Sequence, residues 1–73
     1  MRYFFDVYNG SMAEDEEGLE CSSAEHAIAE AGRAAAGMSA DIAQGGTLRV
    51  EVRDEAGPVA TVTVSIEIER KRP

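Results

Sequence analysis

The most regular pattern lies in the last third of the chain, where Leu48, Val50 and Val52 alternate with Arg49, Glu51 and Arg53. After Asp54-Glu55-Ala56-Gly57 the alternation resumes: Ala60, Val62, Val64, Ile66 and Ile68 interleave with Thr61, Thr63, Ser65, Glu67 and Glu69. Period two belongs to a pleated strand with one buried face, so strands are predicted over 47–53 and 59–69. The four residues between them suit a type I turn with Gly57 in the left-handed position before Pro58, making a β-hairpin of defined register.

An earlier strand is predicted over 2–8. Its core, Tyr3-Phe4-Phe5-Asp6-Val7-Tyr8, holds every aromatic residue of the chain, and strand alternation puts Phe4 and Tyr8 on the face opposite Tyr3, Phe5 and Val7. Asn9-Gly10 closes it with a turn, and residues 9–21 read as an acidic loop containing Gly18. Ser22-Ser23-Ala24-Glu25 matches a capping box with Ser22 as the N-cap, which starts a helix over 23–43. Ala24, Ile28, Ala31, Ala35, Met38 and Ile42 form its apolar stripe, and Gln44-Gly45-Gly46 ends it.

The order is therefore β-α-β-β, a single α+β domain over 1–73 with one helix packed on a three-stranded antiparallel sheet. A helix that returns the chain along the sheet sets the first and second strands in the same sense. The third strand, longest and most apolar, then fits between them in the order 1-3-2. This arrangement leaves the aromatic strand on an edge, with exposed rings beside unpaired backbone groups. The outer face of the sheet, with Phe4, Tyr8, Arg49 and Arg53, becomes the candidate interface, most simply for a second copy of the chain.

Charge sharpens this picture. The 73 residues carry a net charge of −7. Nine acids face only Arg2 and Arg33 in residues 1–46, whereas residues 47–73 hold five of each sign. That balance repels phosphate backbones, so nucleic acid is not an expected partner. The start of the chain lacks the apolar segment of an export signal, and charged residues interrupt the stretch 24–43. No membrane association is expected, and a cytoplasmic location is the default. A domain of this size has a net stability of roughly 3–5 kcal/mol, and oligomerisation is a common supplement.

Three features could carry chemistry. His26 falls on the polar side of the helix, where it joins a metal site only if another chain supplies ligands. Cys21, the single cysteine, precedes the helix N-terminus, whose positive end lowers thiol pKa values, but no histidine base is fixed beside it. The run Glu14-Asp15-Glu16-Glu17 lacks the alternating ligands of a calcium loop. No catalytic, cofactor-binding or metal constellation is predicted, and the expected role is non-enzymatic. Two alternatives stay open beside a self-associating module. One is an acidic antitoxin-like partner of a basic protein, acting through Glu14 to Glu20; the other is a small-ligand binder with a site formed at a dimer interface.

Arg2-Tyr3-Phe4-Phe5-Asp6-Val7, Asp15-Glu16-Glu17-Gly18, the alanine-rich helix and Val52-Arg53-Asp54-Glu55-Ala56-Gly57 resemble the motifs of a family of small bacterial domains of unknown function. That family has an R-Y-F/Y-F-x-V strand, a D-x-E-G loop, an Ala-rich helix and a V-x-D-E-x-G hairpin turn. The resemblance spans residues 2 to about 64 and implies no catalytic residue and no ligand. Its motifs read as turn-formers. The chain departs from the family at Ser65-Ile66-Glu67-Ile68-Glu69, which continues as strand and implies a longer last strand here.

Overall fold

A computed structural model describes all of residues 1–73. The chain runs β1 (Arg2–Tyr8), β2 (Met12–Ala13), β3 (Leu19–Glu20), α1 (Ala24–Gly37), a 3-10 turn (Ser39–Ile42), β4 (Gly46–Asp54) and β5 (Gly57–Ile66). It is an α+β fold with one α-helix and a five-stranded antiparallel sheet.

The strand order differs from the expected 1-3-2. β4 is central: it pairs with β1 on one side, Tyr8 opposite Arg49 and Phe4 opposite Arg53, and with β5 on the other, Leu48 opposite Val64 and Val50 opposite Val62. The two-residue strands β2 and β3 both pair with the free side of β1. The reason lies in the segment expected to be a loop. Residues 12–20 run back along β1 as a broken strand and end beside Arg2, so the helix must carry the chain up the sheet a second time. β4 then descends antiparallel to β1 and bonds to it directly. β1 is therefore an inner strand, and the edge expected on it is occupied.

The hairpin strands are displaced from their predicted ends. Asp54 pairs with Gly57, so only Glu55 and Ala56 form the turn. The Asp54 carboxylate accepts from the Ala56 and Gly57 amides at 2.8 and 3.2 Å, and Gly57 takes a φ of +128° that favours glycine. Val52 opposes Ala60 whereas Arg53 opposes Pro58, which leaves Val59 as the extra residue of a β-bulge. β5 stops at Ile66, short of the predicted 69, because its partner Gly46 is where β4 begins. Beyond that point Ile68 is 58% exposed.

The helix is also shorter than 23–43. Ser23, not Ser22, is the N-cap, its hydroxyl accepting from the His26 amide at 3.1 Å. Regular helix ends at Gly37, the Ser39 hydroxyl donates to the Ala36 carbonyl at 2.8 Å, and the 3-10 turn carries Ile42 into the core. Ala27, Ala31 and Ala35 are fully buried at i, i+4 spacing, while Ile28 is exposed. Side chains this small let the helix lie close over Leu48, Val50 and Val52, which are at most 1% exposed. Tyr3, Cys21 and Ile42 complete the core.

Candidate functional site

Asp15 fastens the broken strand to β1. It falls in the gap between β2 and β3, where the backbone ladder is missing, and its carboxylate replaces the missing bonds. One oxygen accepts from the Phe5 amide at 3.1 Å; the other accepts from the Glu17 and Gly18 amides at 3.0 and 3.1 Å. Asp15-Glu16-Glu17-Gly18 is thus an aspartate-led turn with the same bonding as Asp54-Glu55-Ala56-Gly57. The Asp15 amide donates to Asp6 at 2.9 Å, and Asp6 in turn holds the Arg53 guanidinium at 2.8 Å. Arg53 also donates to the Asp15 carbonyl at 2.9 Å. One knot therefore joins loop, β1 and β4.

The knot makes stability pH-dependent with a definite sign. The Arg53 hydrogen bond holds the Asp6 carboxyl below its ordinary value, outweighing the opposite effect of burial. At Asp15 burial pushes upward most strongly, but the amides of Gly18, Glu17 and Phe5 together overcome it, and this carboxyl too is lowered. Carboxyls lowered in the folded state contribute stability that is complete above the unfolded value of about 3.9 and lost as pH falls through the folded one. The urea midpoint is expected to drop steadily below about pH 5, and Asp15→Asn is expected to flatten that slope. A variant with the parent's slope would assign the pH dependence to other carboxylates.

The four residues predicted as an interface are brought together, but by one another. The Arg49 guanidinium lies 4.5 Å from the Tyr8 ring centre and that of Arg53 lies 4.6 Å from Phe4. All four side chains share the outer face of adjacent strands, and Phe4 and Tyr8 are half-buried. Alternation revealed the shared face; the stacking requires β1 beside β4, which the predicted strand order did not supply. Arg49 makes no ion pair, and its Nε is buried without a hydrogen-bond partner.

The open edge of the sheet is β5, whose far side pairs with no strand. Its ten residues, Gly-Pro-Val-Ala-Thr-Val-Thr-Val-Ser-Ile, contain no charge. Thr61, Thr63 and Ser65 are exposed on the outer face, whereas Ala60, Val62, Val64 and Ile66 are half-buried toward the helix.

The other predicted candidates are dispersed. Cys21 is 4% exposed and belongs to the core, with its amide donating to the Met1 carbonyl. His26 is on the surface, as expected, and its Nδ1 accepts from the Ser22 amide at 3.2 Å, so it caps the helix start. Glu30, 3.7 Å from the other imidazole nitrogen, is bound by Arg33. Glu14, Glu16, Glu17 and Glu20 are exposed around the Asp15 turn. No helix is long and apolar enough to cross a membrane.

A family model described as "Domain of unknown function (DUF6894)" matches residues 2–65. No curated protein and no solved structure matches the chain.

Proposed function

We propose that this chain, which belongs to the DUF6894 family of domains of unknown function, is a non-enzymatic protein-interaction module that self-associates through the open edge of its sheet. The observation that carries the reading is the composition of that edge. Sheet proteins blunt a free strand with lysine, proline, short length or a covering segment, because unpaired amides and carbonyls recruit other strands. β1 is treated in that way by the chain's own residues 12–20. β5 has ten residues, β-branched or small side chains and no charge, with Pro58 and the bulge confined to its first three positions. An uncovered edge of this kind fits strand addition, in which backbone bonds supply affinity and alternate side chains supply selectivity.

The docking strand is thus β5, rather than the aromatic strand. Phe4 and Tyr8 stabilise the monomer through Arg53 and Arg49, and the partner meets hydroxyl and valine rows instead.

The test is solution mass by light scattering at micromolar concentration. The chain is expected at twice its 7.8 kDa mass, and the double variant Thr61→Lys, Thr63→Lys at the monomer mass with an unchanged far-ultraviolet spectrum, since both positions are exposed. A lysine variant that keeps the dimer mass would place association elsewhere. A native monomer would overturn self-association.

A further inference from the structure

We infer that Asn9-Gly10 is a covalent modification site, where the chain deamidates its single asparagine by intramolecular cyclisation and, in the isoaspartyl product, releases β2 from the edge of β1. Three observations place this chemistry at the β1–β2 turn.

The first is exposure. Tyr8 pairs with Met12, so Asn9, Gly10 and Ser11 form a hairpin loop, and all of it is exposed. The second is that both reacting groups are free. The attacking atom is the Gly10 amide nitrogen and the electrophile is the Asn9 carboxamide carbon; neither the Gly10 N–H nor the Asn9 carboxamide makes a hydrogen bond within the chain. The loop's own bond runs from the Asn9 amide to the Ser11 carbonyl at 3.1 Å, and nothing lies within 4 Å of the place a Gly10 Cβ would take, so no side chain shields the glycine. The third is the contrast with Gln44-Gly45, the other carboxamide followed by glycine. There the Gly45 amide is held by the Ile42 carbonyl at 2.9 Å, and closure through glutamine makes a six-membered ring instead of a five-membered one.

The reaction needs only water. The Gly10 amide gives its proton to solvent and its nitrogen bonds to Asn9 Cγ; the carboxamide nitrogen leaves as ammonia, and a succinimide remains. Water then opens the ring. Addition at Cγ breaks the new bond and gives aspartate, whereas addition at the Asn9 backbone carbonyl breaks the original peptide bond and gives isoaspartate, with the chain running through Cβ and Cγ. Either product adds a carboxylate, but only isoaspartate lengthens the backbone, by one carbon, inside the loop that sets the β1–β2 register. That register rests on two pairs, Val7 with Ala13 and Tyr8 with Met12. Because the Phe5 and Asn9 amides both point to this side of β1, Val7 and Ala13 are the hydrogen-bonded pair. The bond from the Phe5 amide to the Asp15 carboxylate stops the disturbance from travelling further. Release is thus confined to β2 and bares the Val7 amide and carbonyl.

The test is incubation of the native chain at mildly alkaline pH, followed by intact mass, peptide mapping that separates aspartyl from isoaspartyl products, and amide exchange. Asn9 is expected to convert at a rate within about 10-fold of that of the free peptide Val7–Met12. Conversion is expected to quicken as pH rises, because the attacking nitrogen must shed its proton, while Asn9→Gln keeps its mass. In the isolated isoaspartyl form the Val7 and Ala13 amides are expected to lose their protection, with β4 and β5 unchanged. Asn9→Asp carries the new charge without the extra carbon and is expected to keep that protection. A folded chain that stays unconverted after the peptide is consumed, or an Asn9→Gln chain that gains mass as the native one does, overturns the modification site. An isoaspartyl form with native exchange at Val7 and Ala13, or an Asn9→Asp chain that loses protection there, overturns the release of β2 by the lengthened loop.

Discussion

Gly18→Ala is expected to leave much of the chain unfolded at room temperature. Gly18 has φ +75°, and a Cβ there meets the Tyr3 carbonyl oxygen at 2.8 Å, Arg2 Cγ at 2.9 Å and Phe4 Cδ1 at 3.0 Å. The arginine can move aside. The Tyr3 carbonyl cannot, because it belongs to a strand bonded on both sides. The left-handed backbone costs an L-residue about 1–2 kcal/mol and the overlap about 1–3 kcal/mol more. Together these approach the roughly 3–5 kcal/mol that holds a domain of this size. Gly10 provides the control, with φ +82° and nothing within 4 Å of an added Cβ. Gly10→Ala is expected to lose only the conformational part. Asparagine tolerates the left-handed region, so Gly10→Asn should be nearly silent while Gly18→Asn remains disruptive. Thermal melts by circular dichroism check the series; equal losses at the two sites would show that the close approach at Gly18 is harmless.

Asp15→Ala carries the second large effect. It removes the acceptor of three backbone amides, on Phe5, Glu17 and Gly18. Hydrogen bonds to an ionised acceptor contribute about 1.5–3 kcal/mol in net terms, and the half-buried position of Asp15 places the expected loss near the lower end of that range. Local opening is expected to exceed global loss. Amide exchange should accelerate across residues 12–20 and at Phe5, while β4 and β5, held by their own ladder, keep most of their protection. Asp15→Asn can retain the two turn bonds through its carbonyl oxygen but sets an NH2 group against the Phe5 amide, so an intermediate loss is expected. Uniform acceleration along the whole chain would mean that the loop and sheet open as one unit.

What the sequence disclosed and what it concealed follow from the kind of signal each element leaves. β4 and β5 were legible because their inner row alternates over many residues, and burial of Leu48, Val50 and Val52 is what alternation reports. The helix start was legible to within one residue, since Ser22 and Ser23 are equally able caps and only the His26 amide selects between them. β2 and β3 left no trace. A two-residue strand has no period, and this pair is exposed throughout. With that return path hidden, the direction of β1 and the strand order came out wrong together. The candidate site shared this fate. Phe4, Tyr8, Arg49 and Arg53 were assigned to one face correctly, yet their mutual stacking, and the transfer of the open edge from β1 to β5, depend on which strands are neighbours.

Residues 12–20 also decide how far strand addition can go. A strand-paired array grows without limit when each molecule offers two free edges, which is the geometry of a fibril. Here one border of the sheet is closed by segments two residues long, interrupted by an aspartate turn and crowded with glutamates. Only the other border, β5, is left without a pairing strand. In the self-association proposed above, a single isologous contact would exhaust it, so such an assembly would terminate at two copies and the charge-free strand would not seed a polymer.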